Sequence, residues 1–242
     1  MLLNNHSYYS LRYGTFSEKE LLRLAQEAGY TSLALTDINN TSACLNFIRL
    51  APQYGIKPIV GIDFRNGAQQ LYVGIAQSNQ GFQALNGFLS HHSHHKKKLP
   101  ELAPELENVV FIYPFEQLLL IEKTTLKPYE YVGVNLRDFK KIRFSTLYAQ
   151  QNKFVLLQAV TFRNKRDFNV HRLLRAVGKS TLLSKLDVDD QAFGDEFMMP
   201  LDSLKQRLEA YPFLISNTQK LMEECEIYFD FSDNRPPQHK KT

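Results

Sequence analysis

The sequence predicts an α/β protein in which short buried strands alternate with amphipathic helices. Residues 33–37 are almost wholly apolar, as expected of a strand that is buried on both faces. Ser17 and Glu20 have the spacing of a capping box, and helical apolar periodicity follows them as far as Gly29. Strands and helices recur about every 30 residues, which is typical of right-handed βαβ units. Parallel strands joined in this way form either a closed barrel or an open doubly wound sheet.

The other elements follow in order along the chain. After a short apolar start at residues 1–4, strands are predicted at residues 33–37, 57–64, 70–76, 109–113, 129–134 and 154–160. Helices are predicted at residues 18–28, 42–51, 79–89 and 170–177, and helical signals dominate from 201 to 226. A polar loop is predicted after residue 89.

Composition excludes several classes of protein. Hydrophobic residues make up 43% and charged residues 22%, which is ordinary globular usage. No apolar run reaches the roughly 18 residues of a membrane span, and the N-terminus lacks the features of a signal peptide. Two cysteines, Cys44 and Cys225, exclude a disulfide framework and a cysteine zinc site and favour a cytoplasmic location. A net charge of +4 is too small to predict nucleic-acid binding by itself.

Three polar residues follow predicted strands and are candidates for chemistry. In a barrel, functional residues lie at the carboxyl ends of the strands, which directs attention to His6, Asp37 and Asp63. An imidazole and two carboxylates could ligate a metal. The alternative, which the general preference of Asp for such positions favours, is that each Asp caps the next helix.

The most unusual segment is the run of histidines and lysines at residues 91–98. Four histidines, His91, His92, His94 and His95, can bind metal adventitiously, and Lys96 to Lys98 form a local positive patch. The favoured interpretation is a solvated surface loop.

Several segments, in the same order along the chain, carry a resemblance to a known family. They are His6 to Ser10 with Gly14, residues 34–37, residues 55–64, residues 76–85 with Gly81, residues 194–197, Tyr211-Pro212 and Asn217-Thr218. Together they resemble the PHP (polymerase and histidinol phosphatase) domain, and within it the N-terminal PHP domains of bacterial DNA polymerase III alpha subunits. The resemblance implies a distorted (β/α)7 TIM-like barrel with a helical C-terminal extension.

The departures from the family pattern concern its metal site. The resemblance implies a trinuclear centre of histidines and carboxylates at the strand ends. Its ligand positions are occupied here by Asn4, Ile38, Leu71, Ala159 and Thr161. His6, Asp37 and Asp63 remain, with His171 as a further candidate on a predicted helix. Since hydrocarbon side chains offer no lone pairs, a degenerate site is expected, without catalytic residues or a tightly bound cofactor. Zinc or manganese would bind only if the residual site were functional.

Three functional hypotheses remain from the sequence. The first is a catalytically inactive structural and partner-binding domain of a replicative DNA polymerase. The second is a free-standing metal-dependent phosphoesterase or exonuclease of the PHP superfamily, with the histidines of residues 91–95 supplying the missing ligands. The third is weak DNA binding through Lys96 to Lys98 and the basic residues 163–166.

The first hypothesis also predicts domains and partners. Residues 1–200 would form the barrel, 201–231 a helical extension packed on it, and 232–242 a linker toward a polymerase core. The partners would be the rest of the alpha chain and the proofreading exonuclease subunit, with DNA bound through the full-length protein and no membrane contact. The full-length protein would be a DNA-directed DNA polymerase, a nucleotidyltransferase.

Overall fold

The computed structural model describes residues 1–231, in which eight strands and eight α-helices alternate. The predicted linker at 232–242 lies outside the described residues. The strands are β1 (Asn4–Asn5), β2 (Ser32–Leu35), β3 (Lys57–Asn66), β4 (Gln69–Ala76), β5 (Val109–Pro114), β6 (Glu130–Val134), β7 (Phe154–Leu156) and β8 (Ala159–Val160). The helices are α1 (Glu18–Glu27), α2 (Cys44–Leu50), α3 (Asn79–His94), α4 (Phe115–Leu120), α5 (Phe139–Ile142), α6 (Lys165–Gly178), α7 (Leu201–Arg207) and α8 (Pro212–Glu223).

The strands close into a distorted TIM-like barrel. Six of them form one sheet in the order β2-β3-β4-β5-β6-β7, and β1 pairs in parallel with β8. Backbone bonds from Ala34 N to Leu2 O (3.1 Å) and from Thr36 N to Asn5 O (3.0 Å) join β1 to β2. Because only residues 157–158 separate β7 from β8, one stretch of chain pairs with β6 at its start and with β1 at its end. The ring therefore has seven strand positions, as the family resemblance implies.

One strand corrects the expectation of an all-parallel sheet. β4 is antiparallel to both β3 and β5, because residues 66–69 turn the chain back as a hairpin. Gly67 has a φ of +65° at this turn, in the left-handed region that glycine adopts without strain. The predicted strand at 154–160 is likewise two short strands, and the helical region from 201 to 226 is two helices.

The core has two parts, one on each face of the ring. Alternate strand residues such as Ile59, Val73 and Ile112 pack inside the ring, where Leu221 and Met222 from α8 join them. Their neighbours along the strands, such as Leu33 and Val60, pack outward with the apolar faces of α1 to α3. Since side chains of a strand alternate between its faces, both faces are buried, which explains the continuous apolar runs in the sequence.

Helix α1 begins and ends where the sequence predicts. The Ser17 side chain accepts a hydrogen bond from Glu20 N (3.1 Å), and Gly29 follows the helix with a φ of +84°. The Glu20 carboxylate contacts Arg23 instead of completing the capping box. Helix α3 is longer than predicted, because residues 91–94 form its last turn and not a loop.

Two glycines of α3 give a matched test of this packing. A Cβ on Gly81 would lie 1.9 Å from Asn108 O, whereas a Cβ on Gly87 meets nothing within 4 Å. We therefore expect Gly81→Ala to lower the free energy of unfolding by about 1–3 kcal/mol through overpacking. Gly87→Ala should raise it by about 0.5–1 kcal/mol, because alanine is the better helix former. Urea unfolding of both variants checks the prediction, and a shift of the same sign in both would contradict it.

Candidate functional site

Two of the three predicted site residues lie in contact at the carboxyl ends of the strands. His6 follows β1 and Asp63 lies within β3, and both side chains are fully buried. His6 Nε2 is 3.0 Å from Asp63 Oδ2, and His6 Nδ1 is 2.9 Å from Thr161 Oγ1. The Thr161 hydroxyl in turn donates to Glu196 Oε2 at 2.5 Å. Both imidazole nitrogens are thus occupied by neighbouring side chains.

Asp63 also accepts hydrogen bonds from a cation that the sequence analysis did not single out. Arg65 Nε and Nη2 lie 3.0 and 2.7 Å from Asp63 Oδ2, the same oxygen that His6 contacts. The Arg65 side chain is only 11% exposed, and its guanidinium carbon lies 4.9 Å from the centre of the Tyr13 ring. The other carboxylate oxygen, Oδ1, is buried and has no hydrogen-bond partner within residues 1–231. Asp63 and Arg65 are two residues apart on one strand, so their side chains point to the same face.

The electrostatics of this pair favour its ionised form. Burial alone would raise the pKa of Asp63, but the adjacent Arg65 guanidinium and His6 outweigh it and hold the pKa below its ordinary value. Burial would likewise lower the pKa of Arg65, and Asp63 raises it instead. Asp63 and Arg65 therefore form a buried ion pair at neutral pH.

Asp37 is held by a separate set of donors. Its carboxylate accepts hydrogen bonds from Ser7 N (2.7 Å), Ser7 Oγ (2.7 Å) and Ser10 Oγ (2.6 Å). Burial raises the pKa of Asp37, although the hydroxyls of Ser10 and Ser7 oppose the rise. The residue follows β2 and does not cap α2, which begins at Cys44 without a side-chain cap. Its bonds tie the loop after β1 to the end of β2.

The other positions named from the family resemblance lie partly beside this site and partly in the outer core. Asn4 and Ala159 are partners in the β1–β8 pairing, and Asn4 Oδ1 accepts from Thr36 Oγ1 at 3.2 Å. Ile38 packs with the cluster of Tyr13 and Phe162, and Leu71 is fully buried in the outer core. The hydrocarbon side chains of Ile38, Leu71 and Ala159 present no ligand atom.

The arrangement does not fit a multinuclear metal centre. Such a centre needs several lone pairs directed at shared cations. Here Asp63 Oδ2 is shared by a guanidinium and an imidazole, and both oxygens of Asp37 accept from serine donors. No group of three or more His, Cys, Asp or Glu side chains within residues 1–231 is arranged to hold a metal ion.

A cavity opens beside the ion pair. It has a volume of about 580 Å³ and is lined by Asn4, Tyr13, Arg65, Arg137, Arg172 and Glu196, among others. A smaller cavity of about 180 Å³ shares Tyr13 and Arg65 as part of its wall. The segment at residues 188–196 contributes to both walls and is fixed to α6 by a hydrogen bond from Arg172 Nε to Gln191 Oε1 (2.8 Å).

The histidines of residues 91–95 line neither of these cavities. The rings of His91, His92, His94 and His95 contact one another and Phe88. Within residues 1–231, the hydrogen bonds of these side chains go to backbone oxygens of α3, from His92 to Phe88 and from His95 to His91.

His171 is a buried packing residue of α6. Its Nδ1 donates to Tyr13 O (2.7 Å), and its Nε2 accepts from Ala192 N (2.9 Å). A neutral imidazole with one proton satisfies both bonds. Burial lowers the pKa of His171 to about 4, with a further contribution from Arg175.

This histidine should make the fold sensitive to mild acid. Between its ordinary pKa of 6.5 and about 4, the unfolded chain binds a proton at His171 that the folded chain does not. The free energy of unfolding should therefore fall as pH drops through that window, by up to about 3 kcal/mol. Urea unfolding at several pH values tests this, with His171→Gln as the control that donates and accepts without titrating. An equal slope in both proteins would contradict the assignment.

No helix within residues 1–231 has the length and apolar character that crossing a membrane requires.

Comparisons with known proteins place these observations in context. Residues 3–126 match the family described as the PHP domain. The DNA polymerase III subunit alpha of Halalkalibacterium halodurans is 21% identical over 261 residues, covering 96% of this chain and 23% of that protein. The same subunit of Bacillus subtilis is 24% identical over 266 residues, covering 97% of this chain and 24% of that protein. The chain thus spans about a quarter of the length of these relatives.

A solved structure also matches part of the chain. It is an amidohydrolase from Chromobacterium violaceum with bound sulfate and no metal, with 22% sequence identity and a TM-score of 0.32. The match covers 39% of this chain and 34% of that one.

Proposed function

The chain belongs to the PHP domain family, and from this membership we propose that it is the N-terminal domain of a bacterial DNA polymerase III alpha subunit. In that protein it would act as a catalytically inactive domain that supports the polymerase core and binds partners. Nucleotidyl transfer would belong to the remainder of the alpha chain. The match of more than nine-tenths of this chain to alpha subunits of two organisms supports this assignment.

The main support for a catalytically inactive role is the contact between the Arg65 guanidinium and Asp63 Oδ2. A divalent cation about 4 Å from a guanidinium is repelled by about 8 kcal/mol at an effective dielectric constant of about 20. A metal bound to Asp63 would therefore have to displace Arg65, which would leave a largely buried cation without its carboxylate partner. Arg65 already supplies the positive charge that this carboxylate needs.

The same contacts support a structural role. A chain of polar contacts runs from Glu196 through Thr161 and His6 to Asp63 and Arg65. It joins the ends of β1 and β8 to β3 and to the segment before α7. In this proposal His6 and Asp63, which stand at ligand positions of the family, tie the strand ends together.

The partners in this proposal are the rest of the alpha chain and the proofreading exonuclease subunit. DNA would be bound by the full-length protein and only weakly, if at all, through Lys96 to Lys98. A flat isotherm with primed DNA at low salt is expected for this domain, because one short basic cluster neutralises few phosphates.

The alternative is a metal-dependent phosphoesterase. It is favoured by the buried, unpartnered Asp63 Oδ1 and by the cavity of about 580 Å³ at the strand ends. It would require further ligands, and hydrocarbon occupies the positions of Ile38, Leu71 and Ala159.

Hydrolysis of bis(p-nitrophenyl) phosphate separates the two functions. With manganese or zinc present, we expect purified protein to show no turnover above that of Asp37→Asn, a variant that retains the shape of the carboxylate. Turnover that survives purification and is lost in Asp37→Asn would establish the phosphoesterase. We expect the full-length alpha chain to extend a primer. Asp37→Asn should leave the rate of extension unchanged, provided that the domain of the variant is folded.

A further inference from the structure

The outward face of α6 carries apolar side chains that the fold does not bury. Val170, Leu173 and Val177 are 43%, 54% and 62% exposed. Residues spaced by three, four and seven positions share one face of a helix, so these side chains form a stripe. The opposite face of α6 carries Asp167, His171 and Ala176, which are buried. The stripe is therefore additional to the face that α6 uses for packing.

The apolar surface continues in sequence beyond the helix. Leu182 and Leu183 follow α6 and are 64% and 41% exposed. Isolated exposed apolar residues are normal on a protein surface, but several of them on one helix face typically mark an interaction site.

Basic residues predominate in this part of the sequence: residues 165–186 contain six Lys and Arg residues, and their one acidic residue, Asp167, is buried. Arg166 precedes Val170 by four positions and so lies on the same helix face, and Lys165, Lys179 and Lys185 are exposed in the same stretch of chain. Lys179 pairs with Asp190 at 2.6 Å. Lys165, Arg166 and Lys185 make no ion pair with any residue in 1–231. Three cations beside the stripe are therefore available to a partner.

We propose that this surface, the α6 face with residues 182–185, docks an acidic amphipathic segment of another protein. Such a segment would bury its apolar residues on Val170, Leu173 and Val177 and place carboxylates against the flanking cations. Apolar burial would supply most of the affinity, and the charges would select an acidic partner and speed its association. The proposal goes beyond the function of the barrel mouth and does not depend on whether that mouth binds metal.

The probe is a synthetic 18-residue helical peptide with apolar residues at positions spaced by three and four and glutamates flanking them. Its control replaces every glutamate by lysine. Fluorescence anisotropy with labelled peptide should show micromolar binding of the acidic peptide and at least tenfold weaker binding of the basic one. Higher salt should weaken binding of the acidic peptide.

Variants locate the binding on the protein. Leu173→Glu and the double variant Lys165→Glu/Arg166→Glu should each weaken binding at least tenfold. Phe144→Glu is the matched control, because Phe144 is an exposed apolar residue outside this surface. All these positions are exposed, and equal unfolding midpoints would show that the variants fold alike.

Three results would overturn the proposal. The first is equal binding of the two peptides, or binding that Leu173→Glu leaves unchanged. The second is sedimentation showing a dimer of this chain that Leu173→Glu dissociates, which would make the surface a self-interface. The third is that the protein binds vesicles of anionic phospholipid but not the peptide, and that Leu173→Glu abolishes the vesicle binding. This result would indicate a membrane-binding surface.

Discussion

Arg65→Ala is expected to lower the free energy of unfolding by about 3–5 kcal/mol, because it leaves the Asp63 carboxylate buried without its cation. The variant would lose the hydrogen bonds of 3.0 and 2.7 Å from Arg65 to Asp63 Oδ2. It would also lose the packing of the guanidinium over the Tyr13 ring. Urea unfolding followed by circular dichroism gives this value directly.

Two controls separate this effect from the loss of an arginine in general. Arg23 pairs with Glu20 and Glu27 on the exposed face of α1, and Arg23→Ala should cost much less than Arg65→Ala, because solvent screens an exposed ion pair. Adding Asp63→Asn to Arg65→Ala removes the stranded charge and should recover part of the lost stability. A cost for Arg65→Ala no larger than that for Arg23→Ala would refute the buried ion pair.

Asp37→Ala should be the next most damaging change, at about 3–5 kcal/mol. Three donors, Ser7 N, Ser7 Oγ and Ser10 Oγ, would lose their acceptor in a buried site. Each buried donor left unsatisfied costs about 1–3 kcal/mol. The measurement is the same urea titration, carried out with a chelator present so that no metal contributes.

Ser10→Ala is a milder change among the donors that bind Asp37, and it serves as the control. It removes one donor and leaves the carboxylate with two, so a cost of about 1–2 kcal/mol is expected. If Asp37→Ala were harmless with chelator present and destabilising only with zinc or manganese, Asp37 would be a metal ligand and not a structural acceptor.

Much of the fold follows from local sequence signals. The Ser17 cap, the left-handed Gly29 and the apolar run that became β2 are decided by residues close together in sequence. The reversed β4 had a local signal too. Asn66-Gly67 stands between two apolar runs, and this dipeptide favours a tight hairpin. Hydrophobic periodicity alone does not indicate the direction of a strand, so the βαβ pattern predicts that β4 is parallel to its neighbours.

The site was less predictable. The strand-end rule predicts His6 and Asp63 as site residues, but a metal-ligand pattern gives no signal for Arg65, because a guanidinium has no lone pair to offer a cation. Thr161 was recognised only as a departure from the family pattern. Its contacts with His6 and Glu196 join residues 155 and 35 positions apart, which only the closed barrel brings together. Helix α3 extends past the predicted end at residue 89, because histidines are tolerated in helices although their polarity favours a loop.

The measurement that tests the central claim most directly is the metal content per chain by mass spectrometry. Untagged protein would be dialysed against micromolar zinc and manganese, beside a variant with His91→Ala, His92→Ala, His94→Ala and His95→Ala, so that the end of α3 cannot mimic a site. If Arg65 occupies the place of the cations at Asp63, the variant should hold close to zero metal ions per chain. Two or three tightly held metal ions would contradict this account and make the phosphoesterase the leading function.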